Sequence, residues 1–237
     1  MRRHLEIAIL WAAATSGAGA CSTSIAPIAV AAGCPEQPVR GPDEYDSEPA
    51  DQLIDDFEDG TTMLAAVGER NGAWVLGTDG TDGTVTDANS GQCAARGVAA
   101  GHFAGVGLTS WGANWTAVFK NNNNGPAVPY DGTAYGGISF WAAVGSAALA
   151  PFQIPMGITT IDNAWNGGVC TTSCMDYYAT TVTLTTTWQR VVVRFSDLAQ
   201  GGWGVPQIAM RRDQLVGFIL WPNHQFDIWI DDVRFEP

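Results

Sequence analysis

The chain contains a single lysine, Lys120, and only 11 basic residues against 24 acidic ones. A nucleic-acid surface needs clustered Lys and Arg to neutralise phosphates, so DNA or RNA binding is not expected. Charge of either sign is scarce, at 15% of 237 residues, with a net balance of -13. No apolar run reaches the roughly 18 residues of a membrane-spanning helix. Several catalytic signatures are also missing: no Gly-x-Ser-x-Gly elbow, no His-Glu-x-x-His helix and no phosphate-cradling Gly-Lys loop. From residue 51 onward the only glutamates are Glu58, Glu69 and Glu236, a thin supply for the carboxylate pair of a glycosidase. What is plentiful is glycine (28), tryptophan (10) and threonine, which favours short strands joined by turns.

The N-terminus reads as an export signal over residues 1–20. Arg2 and Arg3 supply the positive start, Ile7 to Ala14 the short apolar stretch, and Ser16 to Ala20 the small residues before a cut. Cys21 follows directly and resembles the acylated cysteine of a bacterial lipoprotein, although Ala18 stands where Leu is usual. Without residues 1–20 the balance is 9 basic against 23 acidic residues, or -14. Residues 21–50, rich in Ala, Pro, Asp and Glu, are expected to form a flexible tether.

The five cysteines are consistent with this reading. An odd number in an exported chain marks one special thiol. If Cys21 carries lipid, Cys34, Cys93, Cys170 and Cys174 remain as an even set for an oxidising compartment. The Cys170-Thr-Thr-Ser-Cys174 spacing closes a small loop, and Cys34–Cys93 follows by elimination. Zinc would need two more ligands, and His102 and His224 are not at finger-like spacing.

From Leu53 onward, period-two stretches recur between turn signals, which predicts a single all-β domain over 51–237: an antiparallel β-sandwich of jelly-roll type. Ile138, Phe140 and Ala142 alternate with Ser139 and Trp141. Phe152, Ile154, Met156 and Ile158 share one face, as do Val191, Val193 and Phe195, with Arg190, Val192 and Arg194 opposite. Thr78-Asp-Gly-Thr-Asp-Gly-Thr84 reads as a turn rather than a cation loop.

Leu53-Ile-Asp-Asp-Phe-Glu-Asp-Gly60, Trp74, Tyr135 to Trp141, Trp188 to Leu198 and the terminal Phe226-Asp-Ile-Trp-Ile-Asp-Asp-Val-Arg-Phe235 occur in an order that resembles galactose-binding-like β-sandwich domains. The nearest likeness is to carbohydrate-binding modules of family eleven. The resemblance implies a jelly roll, non-catalytic sugar binding and often a structural calcium ion. It also implies that the first and last strands lie close together. Glu58 and Asp232 are then the first candidate calcium ligands, and Asp56, on the Glu58 face by alternation, is the third.

Sugar recognition needs flat aromatic faces and a few directional polar groups. Alternation places Trp141 and Trp221 opposite the aliphatic sets of their strands, on what is expected to be one sheet face, with Arg190 and Arg194 similarly directed. Tyr178 and His224, in adjoining loops, complete the candidate set. Trp74, Trp188 and Trp229 are expected in the core; Trp111, Trp115, Tyr177 and Trp203 are loop aromatics. The expectation is therefore a monomeric, exported module that binds a polysaccharide, with β-glucan the first candidate, and touches membrane only through lipid at Cys21. Rival readings are a surface interaction domain and a hydrolase using paired aspartates.

Overall fold

The computed structural model describes residues 33–37, 49–90, 93–121, 123, 125–164 and 168–237. The expected export signal (1–20) and Cys21 lie outside the described residues, as does most of the expected tether. Eleven strands form: β1 (Leu53–Asp55), β2 (Ala73–Thr78), β3 (Thr84–Ser90), β4 (Ala100–Val106), β5 (Ala113–Val118), β6 (Gly137–Val144), β7 (Phe152–Thr160), β8 (Tyr178–Leu184), β9 (Gln189–Arg194), β10 (Leu215–Leu220) and β11 (Phe226–Glu236). Every pairing between these strands is antiparallel. They make two sheets, one ordered β3-β4-β11-β6-β9 with β1 beside β11, the other β2-β5-β10-β7-β8. The fold is an all-β antiparallel sandwich.

Period-two patterning decides which side chains enter the space between the sheets. From β6, Ile138, Phe140, Ala142 and Val144 are buried there; β7 supplies Ile154, Met156 and Ile158, and β9 supplies Val191 and Val193. Trp74 and Trp115 meet at a centroid distance of 4.3 Å, with Phe57 5.6 Å from Trp74. Trp115 is thus a core residue of β5, not a loop aromatic. The carboxyl of Asp55 accepts from Trp74 Nε1 (2.7 Å) and Phe57 N (2.8 Å), locking this aromatic group to β1.

β11 organises the larger sheet. One edge pairs with β6, while the other pairs with β4 over Phe226–Ile230 and with β1 near Arg234. At the changeover Asp232 adopts φ +48° and the register shifts, so the strand bulges and turns its side chains to a new phase.

Part of the outer face of this sheet is covered, although Val192 and Arg194 of β9 remain exposed. Trp188, Trp229, Ala100 and Ala143 form a second core there, with Cys93, Ala95 and the half-buried Trp141. The His102 ring stacks on Trp229 at 4.0 Å, and its Nε2 lies 2.7 Å from Asp227 Oδ1. Trp188 and Trp229 are therefore buried as expected, but beneath a covering loop rather than between the sheets. Residues 33–37, expected within the tether, dock at this side. Glu36 N donates to Thr186 O (2.8 Å), Trp188 N donates to Glu36 O (2.9 Å), and a disulfide joins Cys34 to Cys93. The second disulfide joins Cys170 to Cys174.

Candidate functional site

The smaller sheet leaves its outer face accessible toward the β8 edge, while the outward positions of β10 are buried and those of β5 half-buried. On β8 and β7, Gln153, Thr181 and Thr183 are exposed and point outward, with Asn114 and Thr116 outward on β5. The residues that alternate outward across these strands carry no charge. Threonine, asparagine and glutamine supply directional hydrogen-bonding groups without the desolvation cost of an ion.

Trp221 follows β10 at one end of this face. Its indole lies over Gly157: a β-carbon there would stand 3.2 Å from the far edge of the ring. Its backbone N–H donates to Pro155 O (3.1 Å). The Tyr177 ring meets Trp221 edge-on, at a centroid distance of 5.9 Å. Burial pushes the Tyr177 phenol up to about 12, so it is neutral at ordinary pH and able to donate. This pair presents an aromatic platform beside hydroxyl and amide groups.

Two loops flank the platform. Asp176, 2% exposed, accepts from the backbone N–H groups of Gly201 (2.7 Å), Gly202 (3.0 Å) and Gly204 (3.0 Å). That carboxylate fixes a glycine loop whose Trp203 is 62% exposed. On the other side, Asp79 accepts from Thr81, Ser110 N and Gly112 N. Burial acts to raise the Asp79 carboxyl, but these hydrogen bonds outweigh it and hold the group well below its ordinary range. The Asp-Gly run is accordingly a turn, as expected. His224 Nε2 lies 2.6 Å from Ser110 O, which places it beside the exposed Trp111.

The sequence-derived set does not assemble as one cleft. Trp141 and Arg190 are cross-strand neighbours on β6 and β9 of the larger sheet, whereas Trp221 belongs to the smaller one. The two tryptophans point outward from opposite sides of the sandwich. Arg190 donates to Glu236 Oε1 (2.6 Å) and Ser139 Oγ (3.2 Å). Arg194 lines a groove of about 600 Å³ with Val192, Met210 and Arg212, away from Trp221. Tyr178 is a correction: it is inward-facing in β8 and 7% exposed, so Tyr177, one residue earlier, takes the outward position.

The candidate calcium ligands come close in the way the resemblance implies, because β1 does pair with β11. Several of their oxygens nonetheless already accept from protein donors. Glu58 Oε1 accepts from Val98 N (2.8 Å) and Ala99 N (3.0 Å), and Asp56 Oδ1 accepts from Glu58 N (3.3 Å). Asp232 is bridged between Arg96 (2.8 Å) and Arg234 (2.7 Å). Among the described residues no group of three or more His, Cys, Asp or Glu side chains is gathered for a metal. Calcium takes six to eight oxygens, backbone carbonyls and waters included, and several of the carboxylate oxygens here already hold protein donors.

No protein-family model matches this chain, and no curated protein does. Among solved structures it is similar to the family 11 carbohydrate-binding module of the cellulosomal cellulase Lic26A-Cel5E of Clostridium thermocellum, with TM-score 0.50 and 15% identity over 78% of this chain and 93% of that one. A family 11 module from Clostridium thermocellum, solved in complex with a β-1,3-1,4-mixed-linked tetrasaccharide, gives TM-score 0.51 and 15% identity over 78% and 94%. At such identity the likeness concerns architecture, and it establishes that the chain has the β-sandwich fold of a carbohydrate-binding module.

Proposed function

We propose that the chain is a non-catalytic module that binds a neutral polysaccharide on the outer face of its smaller sheet. The observation that carries this reading is the Trp221–Tyr177 platform laid over Gly157, on a face whose outward side chains are uncharged. Such a surface suits pyranose rings: C–H faces pack on the indole, and hydroxyls meet Thr, Asn and Gln. The mixed-linked tetrasaccharide held by the family 11 module makes β-1,3-1,4-glucan the first ligand to try. Export, with lipid at Cys21, belongs to the same proposal and agrees with two disulfides in one small domain.

Calorimetric titration against mixed-linked β-glucan and a panel of other soluble polymers, with reducing-sugar assay in parallel, tests the function. Saturable binding without release of reducing ends supports it. Hydrolysis, or no binding to any polymer, overturns it. Incorporation of labelled fatty acid, lost in Cys21→Ala, tests the anchor.

A further inference from the structure

The corner where β11 exchanges β4 for β1 gathers three acidic side chains. Asp231 and Asp232 lie on the bulge, and Glu58 follows β1. Each is answered by one short loop, residues 95–99. Arg96 N donates to Asp231 Oδ2 (2.7 Å), and Arg96 Nη1 donates to Asp232 Oδ2 (2.8 Å). Val98 N and Ala99 N both donate to Glu58 Oε1 (2.8 and 3.0 Å). Arg234 Nε takes the other Asp232 oxygen at 2.7 Å.

The loop is shaped for this. Gly97 has φ +63°, and a β-carbon there would collide with the Glu58 carboxylate, so only glycine lets the backbone close over the acid. Cys93, four residues before Gly97, pins the loop to Cys34. Asp232 is nearly buried, with its side chain 7% exposed and that of Arg96 27% exposed, so the pair is shielded from most screening.

We propose that the 95–99 loop, through the Arg96 guanidinium and three aligned backbone N–H groups, does for this corner what a divalent cation would do, so that the junction of first and last strands is held without metal. A cation would have to displace donors already seated on Glu58 Oε1, Asp231 Oδ2 and both Asp232 oxygens; the buried Asp231 Oδ1 carries no such donor. The arrangement is a polypeptide counter-ion, built from a part of the chain distant in sequence from both acidic strands.

The test is calorimetric titration of the full chain with calcium chloride, together with thermal melting in calcium and in EDTA. No saturable heat and no chelator effect on Tm are expected. Arg96→Met keeps the stem and removes the charge. Its Tm is expected to fall by roughly 5 °C, since it leaves a nearly buried carboxylate short of a partner, while Arg96→Lys retains most of the stability. Calcium is expected to restore part of the Arg96→Met loss by seating on the freed oxygens. Uptake of calcium by the unsubstituted chain with Kd below about a millimolar, a fall in its Tm with EDTA, or an Arg96→Met variant that melts with the parent would each overturn the proposal. If Arg96→Met fails to fold, the titration of the unsubstituted chain still decides.

Discussion

The indole of Trp221 lies over Gly157, a residue whose missing side chain leaves the ring its seat. Because Trp221 is held at a strand end by its own backbone and flanked by Tyr177, removal of its ring should cost ligand contact more than it costs the fold. Trp221→Ala is expected to weaken polysaccharide binding about tenfold or more, the loss typical of an aromatic anchor. Trp141→Ala, on the opposite side, should leave affinity unchanged. Calorimetry on both variants, with circular dichroism to confirm folding, checks this; equal losses would refute the assignment.

Asp176 and Trp203 separate scaffold from surface. Loss of three backbone hydrogen bonds to a buried carboxylate should lower stability in Asp176→Ala by about 2 kcal/mol or more. Trp203→Ala, at an exposed position, should melt with the parent. Denaturant titration of the two variants reads the difference.

Stability should increase as pH falls from alkaline toward mildly acidic values. Burial raises the Asp231 carboxyl from 3.8 to about 8 and that of Asp55 to about 7. The folded chain keeps protons there that the unfolded chain releases. The stability this gives is complete below the unfolded value and is lost as pH rises through the folded ones. Asp79 and Asp131 work the other way: hydrogen bonds depress both, so their contribution is lost in strong acid. Tm should therefore be highest near about pH 4, where both sets contribute, and decline toward about pH 8. Asp231→Asn, which keeps an acceptor for Arg96 N, should flatten part of that decline. A Tm that climbs steadily from pH 5 to 9 would contradict the assignment.

The two disulfides should differ in weight. Cys34–Cys93 spans a sequence separation of 59 and Cys170–Cys174 one of 4. Loop-closure entropy gives roughly 4 kcal/mol for the longer loop and about half that for the shorter. The Cys34→Ser/Cys93→Ser pair should thus lower Tm more than Cys170→Ser/Cys174→Ser. It should also red-shift tryptophan fluorescence, because the bond pins the segment over Trp188 and Trp229. Equal melting of the two double variants would count against this account.

Much of the sandwich was legible because period two is a local property. The inward sets of β6, β7 and β9 were read correctly from alternation alone, and the nearness of the first and last strands followed from the family resemblance. Alternation reports a face, however, and is silent on which sheet owns it; hence Trp141 and Trp221 were grouped although they sit on opposite sides. Tyr178 shows the cost of a one-residue error in phase, since shifting by one turns a side chain from surface to core. Trp115 was hidden by its turn-like neighbours Gly112 and Asn114. Arg96, separated from Asp232 by 136 residues, left no local trace, so nothing in the sequence paired it with that candidate calcium ligand.

The Cys34–Cys93 bond also sets how the molecule bears tension. It short-circuits the covalent path: β1, β2 and β3 all lie inside the loop it closes. A pull on the chain ahead of Cys34 passes chiefly through sulfur to Cys93, just ahead of β4, on the covered side of the sandwich. The covalent path through the first three strands is spared that load. A module working between an anchorage and a polymer on its Trp221 face would thus pass tension across the sandwich without drawing on β1, β2 or β3 end to end.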